Sequence, residues 1–518
     1  MVLGFTGDYI PRFLEGIIRY TAGKDCNIIA CQVKFPEWKY GIFNYQYNAC
    51  LQYMQSKSID AIIILSSFFI SATDKEAFAA YLKPLSSKPI VSVGIELPFK
   101  NSFCLTSKCE ESFRESFSHL INIHGCKKIA FLAANQTTSE EAKERFQAYK
   151  KMLSENKMEY DPELVLEGKF SLWEAKDRTR EHIQNKGLNF DAIIAANDQM
   201  AFGAINTLTE LGYKVPEDVK VIGFDDSDQC NKMSPTLSTV NTNIEVQGFE
   251  AARLAYEKLQ KEKNPKVTYF PQRNVYRQSC GCVSMTDDKT DFITFGKKNT
   301  EHNTLIHEDK LKKFVNDSID MANIYDLLDL IQANTVTTNF FQRFEYTLNL
   351  IDIRRFAVCL FDNPIEVKKG QLFKMPEKAE LLFSIDRENQ KQLINPNIFI
   401  NPYKELLPAN TFADDYNNYI LEPVYMGEKH YGYSFYKLDF SRLGISNIFY
   451  RAISSGIGNA CEYTQKQTEN DQLSVESKTD ELTKLLNRRG FMTTADHALK
   501  FANSMDSSGL VFFCDMDG

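Results

Sequence analysis

The chain has no long apolar run, no excess of basic charge and no framework of paired cysteines, and each absence removes a class of protein. Its longest hydrophobic stretch, Ala61 to Ala72, is interrupted by Ser66, Ser67 and Ser71. A bilayer-crossing helix takes about 20 apolar residues, so no membrane segment is expected. Met1 is followed at once by Val2-Leu3-Gly4-Phe5, with neither a basic leader nor a cleavage site, which argues against secretion and for the cytoplasm. A net charge of -8 argues against duplex DNA as a main partner, because phosphate binding wants a concentrated basic face. The twelve cysteines are mostly solitary, as reduced core thiols are. Only Cys280-Gly281-Cys282 forms a cluster, and a lone C-x-C reads as a structural turn or as part of a metal or redox site, since zinc needs four ligands. With 43% apolar and 25% charged residues over 518 positions, the composition is that of a folded chain long enough for three or four domains.

Residues 1–282 alternate short apolar strands with amphipathic helices, the pattern of a parallel α/β sheet. Asp191 to Ala196 reads as a strand buried on both faces. Asn197-Asp198 follows as the cap of a helix over Gln199 to Leu211, which Gly212 closes. The next strand, Val219 to Phe224, ends in Asp225-Asp226-Ser227. Ligands of such sheets bind beyond the carboxyl ends of the strands, which puts Asp198 and Asp225 at a crevice; the alternative is that both only cap helices.

Several ordered motifs in this stretch resemble one known family: A-N-D-Q-M-A-F-G-A, K-V-P-E-D-V-K-V-I-G-F-D-D-S and P-T-L-S-T-V, with H-L-I-N-I-H-G-C-K-K-I-A-F-L at 119–132 and E-R-F-Q-A-Y-K-K-M-L at 144–153. They are similar to the lactose-repressor and periplasmic-binding-protein sensors. The resemblance implies two lobes closing on a small molecule, with ligand contacts at Arg145, Asn197, Asp198 and Asp225. It also implies a DNA-reading helix-turn-helix ahead of the first strand, for which no room is expected before Val2. Where the family often has an aromatic that stacks on the ligand, this chain has Pro11-Arg12-Phe13. Arg12 and Arg145 could together clasp a carboxylate or phosphate; otherwise Arg12 is a solvated charge beside Phe13. Trp173, one of two tryptophans, stacks on the ligand or fills a contact between the lobes.

Residues 283–339 read as a polar linker and a helix, with apolar spacing from Lys310 to Ala333. Residues 340–447 mix strands and helices. They include a strand at Arg355 to Phe361 and a hairpin from Ile420 to Phe435, turning at Met426-Gly427-Glu428 and similar to the last strands of α+β GAF-like sensors. His430 is expected as a half-buried strand residue. Residues 448–479 form a helical stalk too polar for a strict coiled coil.

The run Asp480 to Phe491, with an apolar stretch Leu510 to Cys514 and then Asp515-Met516-Asp517-Gly518, resembles the opening of a GGDEF diguanylate cyclase domain over 480–518. That resemblance implies Mg²⁺ held by Asp515 and the Met516 carbonyl, hard oxygen ligands for phosphoryl transfer. The expectation is a cytoplasmic homodimeric signalling protein whose intact form joins two GTP into cyclic di-GMP, with no DNA and no membrane partner. The 518-residue chain itself is expected to be inactive. Two alternatives stand beside it: a ligand-sensing regulator whose GGDEF portion is a degenerate binding module, and a lactose-repressor-like transcription regulator.

Overall fold

A computed structural model describes residues 2–3, 9–33, 42–66, 75–136, 139–261, 266–282, 345, 348, 353–371, 373–412, 417–437, 443–480, 482–505 and 507. The expected helix from Lys310 to Ala333, the strand Leu510 to Cys514 and the magnesium ligands Asp515 and Met516 lie outside the described residues.

In the first lobe β1 (Val2–Leu3), β2 (Ile28–Cys31), β3 (Ile62–Leu65), β4 (Ile90–Val93) and β5 (Ser102–Thr106) run parallel in the order β5-β4-β3-β1-β2. Ile62-Ile63-Ile64-Leu65 is apolar throughout because both faces are covered. Ile63 and Leu65 join one core layer with Phe13, Ile17 and Leu254, whereas Ile62 and Ile64 join another with Cys50, Tyr53 and Phe78. The second lobe is built on β6 (Ile129–Ala133), β7 (Val165–Glu167), β8 (Ala192–Ala195), β9 (Lys220–Asp225) and β10 (Ser238–Asn241), ordered β10-β9-β8-β6-β7.

The chain crosses between the lobes three times. It leaves β5 for β6, returns after β10 to β11 (Val267–Tyr269) on the edge of the first sheet, and crosses again to β12 (Arg273–Val275) on the edge of the second. This is the two-lobed α/β arrangement expected from the sequence. Side chains lace the crossings together: Gln272 accepts from the Ser112 hydroxyl at 2.7 Å and donates to Ser107 Oγ at 2.8 Å.

Four helices position the crevice between the lobes. The first, α1 (Tyr9–Thr21), carries Ile10, Phe13, Leu14 and Ile17 as one buried stripe. After the short α2 (Ala49–Tyr53), α3 (Lys75–Leu82) and α4 (Glu110–Ser118) comes α5 (Glu140–Glu155), started by Ser139, whose side chain accepts from Ala142 N–H. Beyond α6 (Leu172–Lys186), α7 (Asp198–Glu210) starts as the sequence says it should, with Asn197 accepting from Met200 N–H at 2.9 Å. Finally α8 (Ile244–Leu259) lies against α1 over the first sheet.

Five further strands, β13 (Arg355–Glu366), β14 (Ala379–Asp386), β15 (Lys391–Ile400), β16 (Asn418–Met426) and β17 (Lys429–Lys437), do not form a sheet of their own. They continue the first lobe's sheet, because β16 pairs parallel with β2 in the register Asn418↔Ile28 to Leu421↔Cys31. Both core layers run across this seam, one through Phe356, Val358 and Ile420 and the other through Ala357, Leu381 and Leu421. The expected hairpin is present, with Met426 paired to Lys429 across a turn in which Gly427 has φ 61°. His430 is fully rather than half buried. Its ring lies 2.6 Å from Tyr53 Oη and 3.1 Å from Gln46 Oε1, and burial lowers its pKa to about 3, so it is neutral in the seam.

The long helix α9 (Leu443–Lys478) begins before the expected stalk. Its first half lies on β16, where Ser454 Oγ donates to Tyr425 O and accepts from Tyr425 N–H, both at 2.7 Å. Past Tyr463 the apolar residues Leu473 and Val475 are exposed. The Asp480 to Phe491 run folds as a turn in which Asp480 accepts from Thr483 N–H at 2.9 Å, followed by α10 (Arg488–Ser504), capped by Asn487. No helix among the described residues is long and apolar enough to cross a membrane.

Candidate functional site in the crevice between the lobes

The carboxyl ends of β6, β8 and β9 face the first lobe, and Arg145 occupies that edge. It projects from α5 and is buried. Its guanidinium donates to Ala196 O at the end of β8 and to the Glu141 carboxylate one turn earlier, and lies 3.5 Å from Asp225 Oδ1. The flat face of the guanidinium rests 3.9 Å from the centre of the Phe224 ring, with Phe170 at 5.9 Å. A delocalised cation between a ring face and carboxylates is held by both cation–π and charge-assisted hydrogen bonding.

Asp225 and Asp226 turn the chain sharply, with φ of 106° and 53°. Non-glycine residues rarely adopt such angles, and strain of this kind collects at ligand clamps. Burial raises the Asp225 pKa well above the usual carboxylate range against the opposing pull of Arg145. Tyr9, at the start of α1 in the opposite lobe, completes the cluster. Burial and then the Asp225 and Glu141 charges raise its pKa, so its hydroxyl stays protonated. Asp226 is the structural member of the pair, accepting from buried Arg277 at 2.9 Å and from Asn241 Nδ2 at 2.8 Å.

The seven residues expected to contact a ligand do not all meet. Arg145 and Asp225 are brought together. Arg12 reaches across the crevice, donating to Asp226 O at 2.8 Å while its Nε lies 3.4 Å from Glu245. Both arginines are thus already matched by protein carboxylates, which removes the ground for expecting an anionic ligand. Asn197 caps α7 and donates to Phe170 O at 3.3 Å.

Asp198 is buried, and its carboxylate is filled by Ser227 N–H at 2.7 Å, Thr239 Oγ1 at 2.6 Å and Cys230 Sγ at 3.2 Å. It ties the turn after β9 to α7 instead of facing a ligand. Phe13 is also corrected: the α1 periodicity that leaves Arg12 half exposed turns Phe13 into the first-lobe core. Trp173 is 71% exposed near the start of α6, and the aromatics beside Arg145 are Phe224 and Phe170 instead. Sequence reasoning missed Tyr9, Glu141 and Phe170. Glu141 alone carried a local signal, its i,i+4 spacing to Arg145.

A cavity of about 530 Å³ opens elsewhere, at the seam between the first lobe and the added strands, with Cys26, Asp60, Tyr256, Leu406 and Phe412 among its walls. Among the described residues Asp25 and Asp60 are its charged lining residues, with no cation paired to an aromatic face as around Arg145.

The periplasmic binding protein-like domain family matches residues 117–280. The chain is 31% identical over 220 residues to the HTH-type transcriptional repressor PurR of Mannheimia succiniciproducens, covering 40% of this chain and 60% of that protein. It is 34% identical over 154 residues to the HTH-type transcriptional regulator CelR of Thermobifida fusca, covering 30% and 44%. To the HTH-type transcriptional regulator AscG of Escherichia coli it is 30% identical over 194 residues, covering 38% and 55%. The chain therefore spans between 44% and 60% of the length of these relatives. Among solved structures, the Escherichia coli transcriptional repressor ascG has a TM-score of 0.44 at 24% identity, covering 54% of this chain and 97% of that one.

The family match and the sequence relatives support the sensor and correct two expectations. The relatives are transcriptional regulators, so the diguanylate cyclase reading, with GTP as substrate and cyclic di-GMP as product, is set aside. The exclusion of DNA as a partner falls with it, since net charge over a whole chain does not report on a separate DNA-reading segment.

Proposed function

We propose that this chain is a ligand-responsive transcription regulator of the lactose-repressor kind, acting in the cytoplasm as a homodimer. Its effector is a neutral, hydroxyl-bearing small molecule bound between the lobes. The Arg145–Asp225 pair carries the reading. One group donates and the other accepts, so a ligand hydroxyl can bond both at once. Glu141 beside them disfavours an added anion. Tyr9 from the first lobe and Arg145 from the second would share the ligand, so binding would favour the closed arrangement and change the relative placement of the lobes. The partial matches to repressors support this output, and operator DNA is the partner it implies.

A thermal-shift screen of the full chain tests the effector class. Neutral polyhydroxylated compounds should raise the sensor's midpoint, with a gain that grows with concentration above Kd. Carboxylic acids and phosphorylated compounds of similar size should leave it unchanged. A response confined to the anionic compounds would overturn the assignment.

A further inference from the structure

Away from the crevice, at the opposite end of β9, four metal-ligating side chains converge. His119 opens a single π turn (His119–Ile123) that follows α4, and His124 caps its end. Cys280 and Cys282 lie about 160 residues later in sequence, in and just after a 3-10 turn, Gln278–Cys280. His119 Nε2 is 3.5 Å from Cys280 Sγ, 3.3 Å from Cys282 Sγ and 3.0 Å from His124 Nε2, and His124 Nε2 is 3.6 Å from Cys282 Sγ. All four donor atoms fall within 4.8 Å of one another. A tetrahedral zinc ion with ordinary bond lengths sets its ligands roughly 3.3–3.8 Å apart. The three sulfur–nitrogen distances of 3.3, 3.5 and 3.6 Å fall inside that range, while the 3.0 Å between the two histidine nitrogens is shorter and has to open slightly around an ion.

The surroundings are shaped to hold this geometry. Gly281 sits between the cysteines with φ 96°, and a Cβ there would lie 3.3 Å from His124 Cε1 and 3.4 Å from its Nδ1. Glycine thus meets both the backbone angle and the close approach. Tyr276 stacks on the His119 ring at 3.6 Å between centroids and 13° between planes, fixing its orientation. The turn is pinned as well: Ser279 donates to Val221 O at 2.6 Å, and Cys282 N–H bonds Arg277 O at 3.2 Å. π turns are uncommon and recur at functional sites.

The geometry points to a structural zinc site of two cysteines and two histidines, formed by His119, His124, Cys280 and Cys282. Two soft sulfurs and two imidazoles suit zinc better than magnesium or calcium, which take oxygen ligands. Four protein ligands leave no open position, so the ion is structural, not catalytic. On binding, each thiol gives its proton to solvent and the resulting thiolate bonds the metal, with two protons released per ion. The ion clips the C-terminal edge of the second lobe to the segment just after the first crossing between lobes, in a part of the chain the effector reading does not use.

The test uses the full 518-residue chain, purified without a histidine tag, reduced and desalted. Elemental analysis should find one zinc per chain. Replacing zinc with Co²⁺ should give tetrahedral d–d absorption and thiolate charge transfer of the strength two sulfurs produce. His124→Ala and Cys282→Ser should each weaken metal binding at least tenfold. Should a variant fail to fold, the cobalt spectrum of the unaltered chain decides alone. Folded, reduced protein that takes up neither metal would overturn the site. So would cobalt bound without thiolate charge transfer, or a Cys280–Cys282 disulfide in place of metal as the stable form of freshly purified protein.

Discussion

Gly248→Ala should destabilise the sensor by about 3 kcal/mol, although alanine is the better helix former by roughly 1 kcal/mol. The sign reverses because α1 and α8 touch through paired glycines. A Cβ on Gly248 would stand 1.9 Å from Phe13 O, and one on Gly16 would stand 1.9 Å from Glu245 O. Both obstacles are helix backbone, which cannot rotate away as a side chain can. The helices would have to separate over the layer that contains Phe13, Ile17, Ile244 and Leu254, and close-packed interiors resist such shifts. Urea unfolding followed by circular dichroism should put the midpoints of Gly16→Ala and Gly248→Ala well below that of the parent. The double variant should fall short of additive, since one separation relieves both contacts. A stabilised Gly248→Ala would mean that the two helices do not meet at these glycines.

Asp198→Ala should cost about 3 kcal/mol or more, because it strands the Ser227 N–H, the Thr239 hydroxyl and the Cys230 thiol in the interior, where each unmet donor costs on the order of 1 kcal/mol or more. Asp198→Asn should cost much less, since its carbonyl can still accept from Ser227 and its amide can donate to the Thr239 oxygen. The pair also has a pH signature. Burial pushes the Asp198 pKa up to about 6 against its hydrogen bonds, above the value near 4 of an unfolded chain. As pH falls from about 6 to 4 the folded state takes up a proton that the unfolded state does not yet bind. Stability from this group therefore grows on acidification and is lost again as pH rises through 6. The parent should gain on Asp198→Asn over that window. A constant difference between the two proteins across it would show that Asp198 does not titrate there.

Much of the scaffold was legible because its signals are local. The all-apolar strands around Ile62–Leu65 and Ala192–Ala195, the Asn197 cap and the Asp225 turn each occupy a few consecutive residues. Phe13 was misread because the family pattern of an exposed aromatic was applied to a helix whose spacing buries that position. Trp173 drew attention by rarity, whereas Phe170, three residues earlier, takes a place beside Arg145. The joining of β2 to β16 left no mark in the sequence, since an edge strand's open hydrogen bonds are satisfied by a segment almost 400 residues away. Cys280-Gly281-Cys282 could not be completed as a metal site for the same reason: its histidines are close only after folding. The Asp480 to Phe491 run suggested an enzyme through resemblance alone; among the described residues it folds as a capped turn at the end of α9.

The most direct test of the sensing account is calorimetric titration of the strongest neutral compound from the thermal-shift screen into the parent chain and into Asp225→Asn. This isosteric change keeps one acceptor oxygen but puts an amide, which can only donate, where the second oxygen faces Arg145 and the ligand. The account predicts one site per chain and an affinity at least tenfold weaker in the variant, the loss of about one charge-assisted hydrogen bond. Equal affinities in two equally folded proteins would place the ligand away from the crevice and contradict the account.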